Sequence, residues 1–175
     1  AAALAKRGAR VTLVSGPVTI PDPLGVVMVH VGTAEQMLAA CESALPADIA
    51  ICTAAVSDWR ARERGKGKIK KHPGDTAVQT LSLTQNPDIL AQLSSHSQRP
   101  ELVIGFAAET DDLQANANEK LQRKGCDWIL ANSVSPRGSD ETVFGNVQNK
   151  VLLMTGDGQE EWPMMPKTEL ADRLV

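Results

Sequence analysis

The sequence contains no tyrosine and few other aromatic residues, with three tryptophans and two phenylalanines among 175 residues. A protein that binds single-stranded nucleic acid on stacked aromatic rings needs more rings than this, which argues against that class. Long apolar runs are also missing, since no stretch approaches 18 apolar residues. No charged segment followed by an apolar one opens the chain. We therefore predict neither a membrane span nor a signal peptide.

Cysteine occurs three times, as Cys41, Cys52 and Cys126, which are odd in number and unclustered. Neither a disulfide framework nor a zinc site fits them, and the reducing cytoplasm is the expected location. The three histidines lack the spacing of metal ligands. Common catalytic signatures are absent too: the sequence has no G-x-G-x-x-G, no G-x-x-x-x-G-K-[ST] and no G-x-S-x-G. No Ser–His or Cys–His pairing supports nucleophilic catalysis.

Charge is distributed unevenly along the sequence. Residues 60–71 contain seven basic residues and one acidic residue, whereas the whole chain has a net charge of −3. A basic strip on an otherwise acidic chain suits the capture of a small polyanion better than general nucleic-acid binding, which favours a broadly basic domain. We therefore expect no nucleic-acid partner.

Predicted strands and helices alternate along the chain, and most of the strands are apolar, as in strands that are buried on both faces. This pattern predicts a Rossmann-like, doubly wound α/β fold, with a mostly parallel sheet and helices on both of its faces. Strands are predicted over about 9–15, 25–31, 48–56, 77–83, 101–109 and 127–132, and helices over about 34–45, from Asn86, over 111–124 and from Pro166.

The two ends of this pattern need separate comment. The opening AAALAKRG is typical of the tail of a helix that ends at Gly8. A doubly wound unit normally begins with a strand and a glycine-rich turn, so we expect that segment to be missing and residues 1–175 to form a single, N-terminally incomplete domain. Residues 143–158 predict a late hairpin, which would serve either as a pairing edge or as a flap over the core.

The strongest candidate site begins at Thr53 and extends to the basic loop. Two small residues at a strand end, Ala54 and Ala55, let a flat ligand lie close to the backbone, and Asp58 can accept hydrogen bonds from an amino group or a ribose hydroxyl. The lysines of the loop could close over phosphates. The alternative is that the alanines pack, Asp58 caps a turn and the lysines are solvated.

Further candidates follow at later strand and helix ends, each with a structural alternative. The segment N-P-D-I-L, residues 86–90, is predicted to open a helix with Asn86 as its N-cap, and free N–H groups there suit an anion. Phe106 could stack on a base or belong to the core. Glu109 could be a metal ligand, an acid–base group or a helix acid. Lys120 and Lys124 could both face phosphates or complement the helix dipole.

Six short motifs occur in order: A-A-V-S-D-W-R, K-I-K-K, N-P-D-I-L, G-F-A-A-E-T, K-L-Q-R-K and A-N-S-V. Together they resemble phosphopantothenoylcysteine synthetase, the ligase half of the bifunctional bacterial coenzyme A biosynthesis protein, over the whole chain. The resemblance implies a ligase that depends on CTP and Mg²⁺. The carboxylate of 4′-phosphopantothenate attacks the α-phosphate of CTP, and the amine of L-cysteine then displaces CMP from the acyl-cytidylate.

The resemblance also implies residue roles. Ala54, Ala55 and Asp58 would hold the cytidine. The same pocket would be lined by Pro87, Asp88, Ile89, Leu90 and Phe106. Lys120 and Lys124 would face the triphosphate, and Lys68 and Lys71 of the K-I-K-K flap would be catalytic. The family further implies a homodimer and an attached decarboxylase that carries FMN, while metal ligands stay unassigned. One departure is Ser133, where the family often has aspartate.

Two other functions remain open at this point. One is an NAD(P)-dependent Rossmann oxidoreductase whose glycine fingerprint is missing, although Ser15-Gly16 stands where such enzymes place an acidic residue for the ribose. The other is a non-catalytic nucleotide-binding module with a basic loop.

Overall fold

The computed structural model of the chain describes residues 1–63, 80–109, 112–133 and 147–175. The helices are α1 (Ala2–Lys6), α2 (Ala34–Ser43), α3 (Ile89–Ser94), α4 (Leu113–Lys124) and α5 (Lys167–Leu174). The strands are β1 (Val11–Ser15), β2 (Val26–His30), β3 (Ile49–Cys52), β4 (Trp59–Ala61), β5 (Leu83–Gln85), β6 (Leu102–Glu109), β7 (Trp128–Ser133), β8 (Gln148–Thr155) and β9 (Gly158–Pro166). Among the described helices, none is both long and apolar enough to cross a membrane.

The central sheet has five strands in the order β3-β6-β7-β8-β9. Strands β3, β6 and β7 are parallel, and β8 and β9 continue the sheet in antiparallel pairing. A second parallel pair, β1 and β2, and an antiparallel ribbon, β4 and β5, form separate sheets within the described part of the chain. The predicted α/β fold with a mostly parallel sheet is confirmed, and its parallel strands lie in two sheets.

Both faces of the central sheet carry a core cluster, and the side chains of β6 alternate between the two. Val103 and Ala107 point to one face, where α4 buries Ala117 and Leu121 in a cluster with residues of β7 and β8. The adjacent Ile104 points to the other face, where the second cluster includes residues of β9 and α5. Within the described residues, both core clusters therefore lie in the second half of the chain.

Helix α4 ends where the sequence predicts. Gly125 adopts the left-handed conformation with φ 66°, and its N–H donates to the carbonyl of Leu121 at 3.1 Å. A residue with a side chain is strained in this conformation, so glycine fits this C-terminal cap. Basic residues in the last turn, Arg123 and Lys124, complement the helix dipole.

The start of α3 differs from the prediction. Its N-cap is Asp88, whose Oδ1 accepts a hydrogen bond from the N–H of Ala91 at 3.2 Å, and not Asn86. A capping side chain reaches an N–H two or three residues ahead, and Asp88 lies at that distance. The Asn86 amide instead donates to the carbonyl of Ser57 at 2.7 Å. Asn86, which the local pattern predicts as the cap, therefore makes a tertiary hydrogen bond instead.

Three further boundaries differ. The apolar run predicted as one strand over 48–56 is a strand only from Ile49 to Cys52. The strand predicted over 77–83 is observed as Leu83–Gln85, paired with the short strand β4, while residues 77–79 lie outside the described part. The predicted hairpin of 143–158 is displaced in its described part, because 148–155 is a single strand that turns at Gly156-Asp157 into β9, while residues 143–146 lie outside the described part. This hairpin extends the central sheet instead of covering the core as a flap.

Arg99 joins the end of α3 to the starts of β6 and β7. Its guanidinium donates to both carboxylate oxygens of Asp127, at 2.9 and 2.8 Å, and to the carbonyls of Ser94 and Pro100 at 2.9 and 2.8 Å. Asp127 also accepts from the N–H of Val103 at 2.7 Å. This cluster satisfies carbonyl groups at a helix end and fixes β6 beside β7.

Replacing Arg99 with alanine is expected to lower the free energy of unfolding by about 1–3 kcal/mol, because two carbonyls lose their donor and the half-buried Asp127 carboxylate keeps only the Val103 N–H. Urea unfolding measures this loss. Arg123, which is exposed on α4, supplies the matched control, and its alanine variant is expected within about 0.5 kcal/mol of the wild type. Equal losses in the two variants would contradict the role given to Arg99.

Candidate functional site

The candidate site arises because β3 is shorter than its neighbour. Cys52, the last residue of β3, pairs with Gly105, whereas β6 continues to Glu109 along β7. In the described chain, the segment from Phe106 to Glu109 therefore has a strand partner on the β7 side and none on the β3 side. A cleft runs along the edge of β3 and continues past its carboxyl end, the position at which ligands of parallel α/β sheets bind.

The cleft has a volume of about 1860 Å³ and extends from the edge of β1 past β3 to α4 and α5. The predicted site residues that line it come from four separate segments of the chain. Nine of the predicted site residues line it: Ala54, Asp58, Pro87, Asp88, Ile89, Leu90, Phe106, Lys120 and Lys124. Ala55 is exposed and does not line it.

One wall of the cleft is the segment 54–58 that follows β3. Ala54, Ala55 and Asp58 are all exposed, so the alanines do not pack into the core. The carbonyl of Asp58 accepts a hydrogen bond from the N–H of Asn86 at 2.8 Å. Within the described residues the Asp58 carboxylate makes no hydrogen bond or ion pair, so it caps no turn there. It is available to accept bonds from a ligand.

The opposite wall is the start of α3, at Pro87–Leu90. Asp88 has two bonds, because its Oδ1 caps the helix and its Oδ2 accepts from the Lys124 ammonium. Leu90 packs directly over Gly105 of β6. A Cβ atom built on Gly105 would lie 2.5 Å from Cδ2 of Leu90, so this close approach requires glycine.

Two lysines of α4 face the cleft, and both are ion-paired. The Lys120 ammonium lies 2.5 Å from Oε1 of Glu109, whose side chain is only 13% exposed. Lys124 pairs with Asp88. Glu109, left open by the sequence, is thus the last residue of β6 and the partner of Lys120. An anionic ligand would have to exchange these carboxylates for its own oxygens, so its binding is expected to depend on salt.

Phe106 lies in the middle of β6 and not at a strand end as predicted, because the pairing with β7 continues to Glu109. Its half-buried ring packs against the second core cluster and also lines the cleft. The structure therefore supports a core role and leaves part of the ring accessible to a ligand.

The catalytic lysines that the resemblance implies, Lys68 and Lys71, lie outside the described residues. The same holds for the rest of the K-I-K-K motif. The predicted roles of all these site residues stay predictions.

Cys52 lies just before the cleft wall. Burial raises the pKa of its thiol to about 12, with smaller contributions from Cys41, Cys126 and Asp88. At neutral pH the sulfur is protonated, and a protonated thiol is a poor nucleophile. Among the described residues, no group of three or more His, Cys, Asp or Glu side chains could hold a metal ion.

Sequence reasoning missed Arg60, which it counted as part of the basic strip. The Arg60 guanidinium lies 2.8 Å from Oε1 of Glu35 at the start of α2, and it also donates to Asn86 Oδ1 at 3.2 Å. Arg60 is therefore part of the framework behind the cleft wall. No local signal marks this role, because its partners lie about 25 residues away on either side.

The fold and the cleft together define an α/β domain with a candidate ligand site beside the carboxyl ends of parallel strands. The family model "DNA/pantothenate metabolism flavoprotein C-terminal domain" matches residues 1–175, and the chain belongs to this family. The resemblance inferred from the motifs is confirmed at this level.

Individual relatives agree with this assignment. Coenzyme A biosynthesis bifunctional protein CoaBC of Escherichia coli (strain K12) is 39% identical over 176 residues, which is 100% of this chain and 43% of the relative. The chain thus spans less than half the length of this curated relative. A crystal structure of the CoaBC C-terminal domain superposes with a TM-score of 0.74 at 32% identity, covering 99% of this chain and 74% of that one.

A more distant structure is a Cab2 variant in complex with phosphopantothenate-cysteine. It superposes with a TM-score of 0.58 at 15% identity and covers 86% of this chain and 51% of that one. At this identity the likeness concerns the fold alone.

Proposed function

We propose that the chain is the phosphopantothenate–cysteine ligase domain of a coenzyme A biosynthesis protein, and that CTP activates its acid substrate. Membership of the family and the relatives named CoaBC support the ligase assignment. The observation that carries the nucleotide part is the cleft itself. It gathers Asp58, the start of α3 and two lysines of α4, which are far apart in sequence, around one space.

The proposed reaction has two steps. A carboxylate oxygen of 4′-phosphopantothenate bonds to the α-phosphorus of CTP, and pyrophosphate leaves with the electrons of the broken P–O bond. The amine of L-cysteine then attacks the acyl carbon, CMP leaves, and the amine loses a proton as the amide forms. Both steps need reactants held in line and negative charge neutralised, and neither needs a protein nucleophile. This agrees with a protonated Cys52.

The residues of the cleft have matching roles in this proposal. Asp58 accepts hydrogen bonds from the cytidine, and Ala54 leaves room for a flat base against the backbone. Lys120 and Lys124 turn from Glu109 and Asp88 to the phosphates. The ammonium groups stay compensated when a phosphate replaces a carboxylate, whereas Glu109 and Asp88 lose their partners, so this exchange opposes part of the binding free energy.

The carboxylates of the cleft fit magnesium only if the ion binds together with the nucleotide. Asp88 and Glu109 each have a lysine partner, so the described residues offer no preformed cage. Mg²⁺ usually takes few protein carboxylates and binds through substrate phosphates. We propose that it would be held mainly by the CTP phosphates and would neutralise their charge.

Thermal unfolding with a nucleotide panel tests the proposal. CTP, ATP, GTP, UTP and NADH are each added with Mg²⁺. A ligand at about a hundredfold excess over its Kd stabilises the folded state by about 2.7 kcal/mol, which raises the melting temperature by several degrees. We expect this rise with CTP and not with NADH. The Lys68→Ala variant should lose it, while Lys150→Ala, a surface lysine of β8 paired with Glu161, should retain it.

The alternatives make different predictions for the same panel. Stabilisation by NADH and not by CTP would favour the oxidoreductase. Stabilisation by CTP without formation of phosphopantothenoylcysteine, CMP and pyrophosphate by the full-length protein would favour the non-catalytic module.

A further inference from the structure

Asn86 makes three hydrogen bonds, two to the segment 54–58 that forms one wall of the cleft and one to Arg60 of β4. Its side-chain Nδ2 donates to the carbonyl of Ser57 at 2.7 Å, and its backbone N–H donates to the carbonyl of Asp58 at 2.8 Å. Its Oδ1 accepts from the Arg60 guanidinium at 3.2 Å. The side-chain amide is thus used on both its donor and its acceptor side.

Arg60 extends this contact in two directions. It donates to the carbonyl of Gln85, the residue before Asn86, and it forms an ion pair with Glu35 at the start of α2. The Arg60 side chain is 30% exposed and the Glu35 side chain is 55% exposed. Asn86 therefore sits at the centre of a cluster that joins the segment after β3, the ribbon β4–β5 and helix α2.

The two walls that Asn86 joins are otherwise distant along the chain. Asp58 is exposed and follows a segment without regular structure, and the pairing of Trp59 with Gln85 in the ribbon β4–β5 brings it beside Asn86. The side-chain bond from Asn86 to Ser57 extends this attachment into the irregular segment. Pro87 follows Asn86 directly, which connects the amide to the start of α3.

We propose that Asn86 is a positioning residue: by holding Ser57 and Asp58 against the start of α3, it sets the width of the cleft and the direction of the Asp58 carboxylate. The residue itself need not touch the ligand. The part of this inference that concerns CTP rests on the proposed function, and the part that concerns the order of residues 54–58 does not.

Two substitutions separate the contacts. Asn86→Ala removes both side-chain bonds. Asn86→Asp keeps the acceptor for Arg60 but places an oxygen where Nδ2 faces the carbonyl of Ser57, so the bond to the wall is replaced by repulsion. Asn118→Ala is the control, because Asn118 is an exposed asparagine on α4.

Hydrogen exchange of the unliganded protein gives the first measurement. In both Asn86 variants the amides of residues 54–59 should exchange about tenfold faster, a factor that corresponds to about 1.4 kcal/mol. Exchange in β6 and β7 should stay at the wild-type rate, because a general loss of stability would accelerate every strand. Unchanged exchange over 54–59 in Asn86→Asp would overturn the inference.

The second measurement is the Kd for CTP with Mg²⁺. It should rise about tenfold in both Asn86 variants and stay unchanged in Asn118→Ala. If the wild type binds CTP and the Asn86 variants show faster exchange over 54–59 but the wild-type Kd, the positioning role is refuted. If the wild type binds no CTP while exchange over 54–59 responds as expected, the contact stands and the proposed function fails.

Discussion

Replacing Asp58 by asparagine is expected to raise the Kd for CTP by a factor of about 10–100, because the ligand loses hydrogen bonds to a charged acceptor. The Asp58 carboxylate has no partner among the described residues, whereas Asp88 and Glu109 are bonded to lysines. Its removal therefore breaks no side-chain contact with the described residues, and the free energy of unfolding should change by less than about 0.5 kcal/mol. Isothermal titration and urea unfolding measure the two quantities.

The control for this variant is Asp157→Asn, in the exposed turn between β8 and β9. It makes the same chemical change away from the candidate walls, so the Kd for CTP should stay at the wild-type value. A Kd that is equally unaffected in Asp58→Asn would place the nucleotide elsewhere and would remove the main residue of the proposed cytidine pocket.

Replacing Gly105 by valine is expected to lower the free energy of unfolding by about 3 kcal/mol, the upper part of the usual range for overpacking a core. The Cβ alone would lie 2.5 Å from Leu90 Cδ2 and 2.7 Å from Ile129 Cδ1, and Ile129 is buried. In a chain of this length, such a loss lowers the melting temperature by about 6–12 °C. Thermal and urea unfolding should both detect it.

Two comparisons identify the cause. Gly156→Ala should be nearly neutral, since a Cβ there would meet nothing within 4 Å. The smaller change Gly105→Ala should cost less than Gly105→Val, and part of its cost should disappear when Leu90 is also replaced by alanine, because that removes one of the two close contacts. Strictly additive losses in the double variant would show that Leu90 does not cause the strain.

Much of the fold could be predicted because its determinants are local. Gly125 marks the end of α4 through its own backbone conformation, and the apolar runs of β6 and β7 show that both strand faces are buried. These signals need no knowledge of distant partners. They suffice for the order of elements and for the fold class.

The boundaries that failed depend on distant pairing. β3 ends at Cys52 although its apolar run continues, because its pairing with β6 ends at Gly105. The late hairpin is displaced because 148–155 is held as one strand between β7 and β9, and local turn residues do not reveal that. Asn86 is a good helix cap by residue type, yet its amide bonds Ser57 across the cleft.

The candidate site shows the same division. The family motifs predict nine of the residues that line the cleft, from Ala54 to Lys124. They do not predict that Lys120 and Lys124 have carboxylate partners, or that Arg60 turns inward to Glu35. Each of these pairs joins separate elements, so only the folded chain brings them together.

The uneven burial of the chain has a consequence for its cooperativity. Among the described residues, every buried member of the two core clusters lies at Val103 or beyond, whereas Met37 is the one buried residue among residues 1–63. Local opening therefore requires less free energy in the first third of the chain than in the second half. The cleft lies on the border between these two regions, with Asp58 on the weaker side and Lys120 on the stronger. A ligand that contacts both walls therefore binds only when the weaker wall is ordered. Its binding and the local opening of the first third of the chain are coupled, so the ligand raises the free energy of that opening.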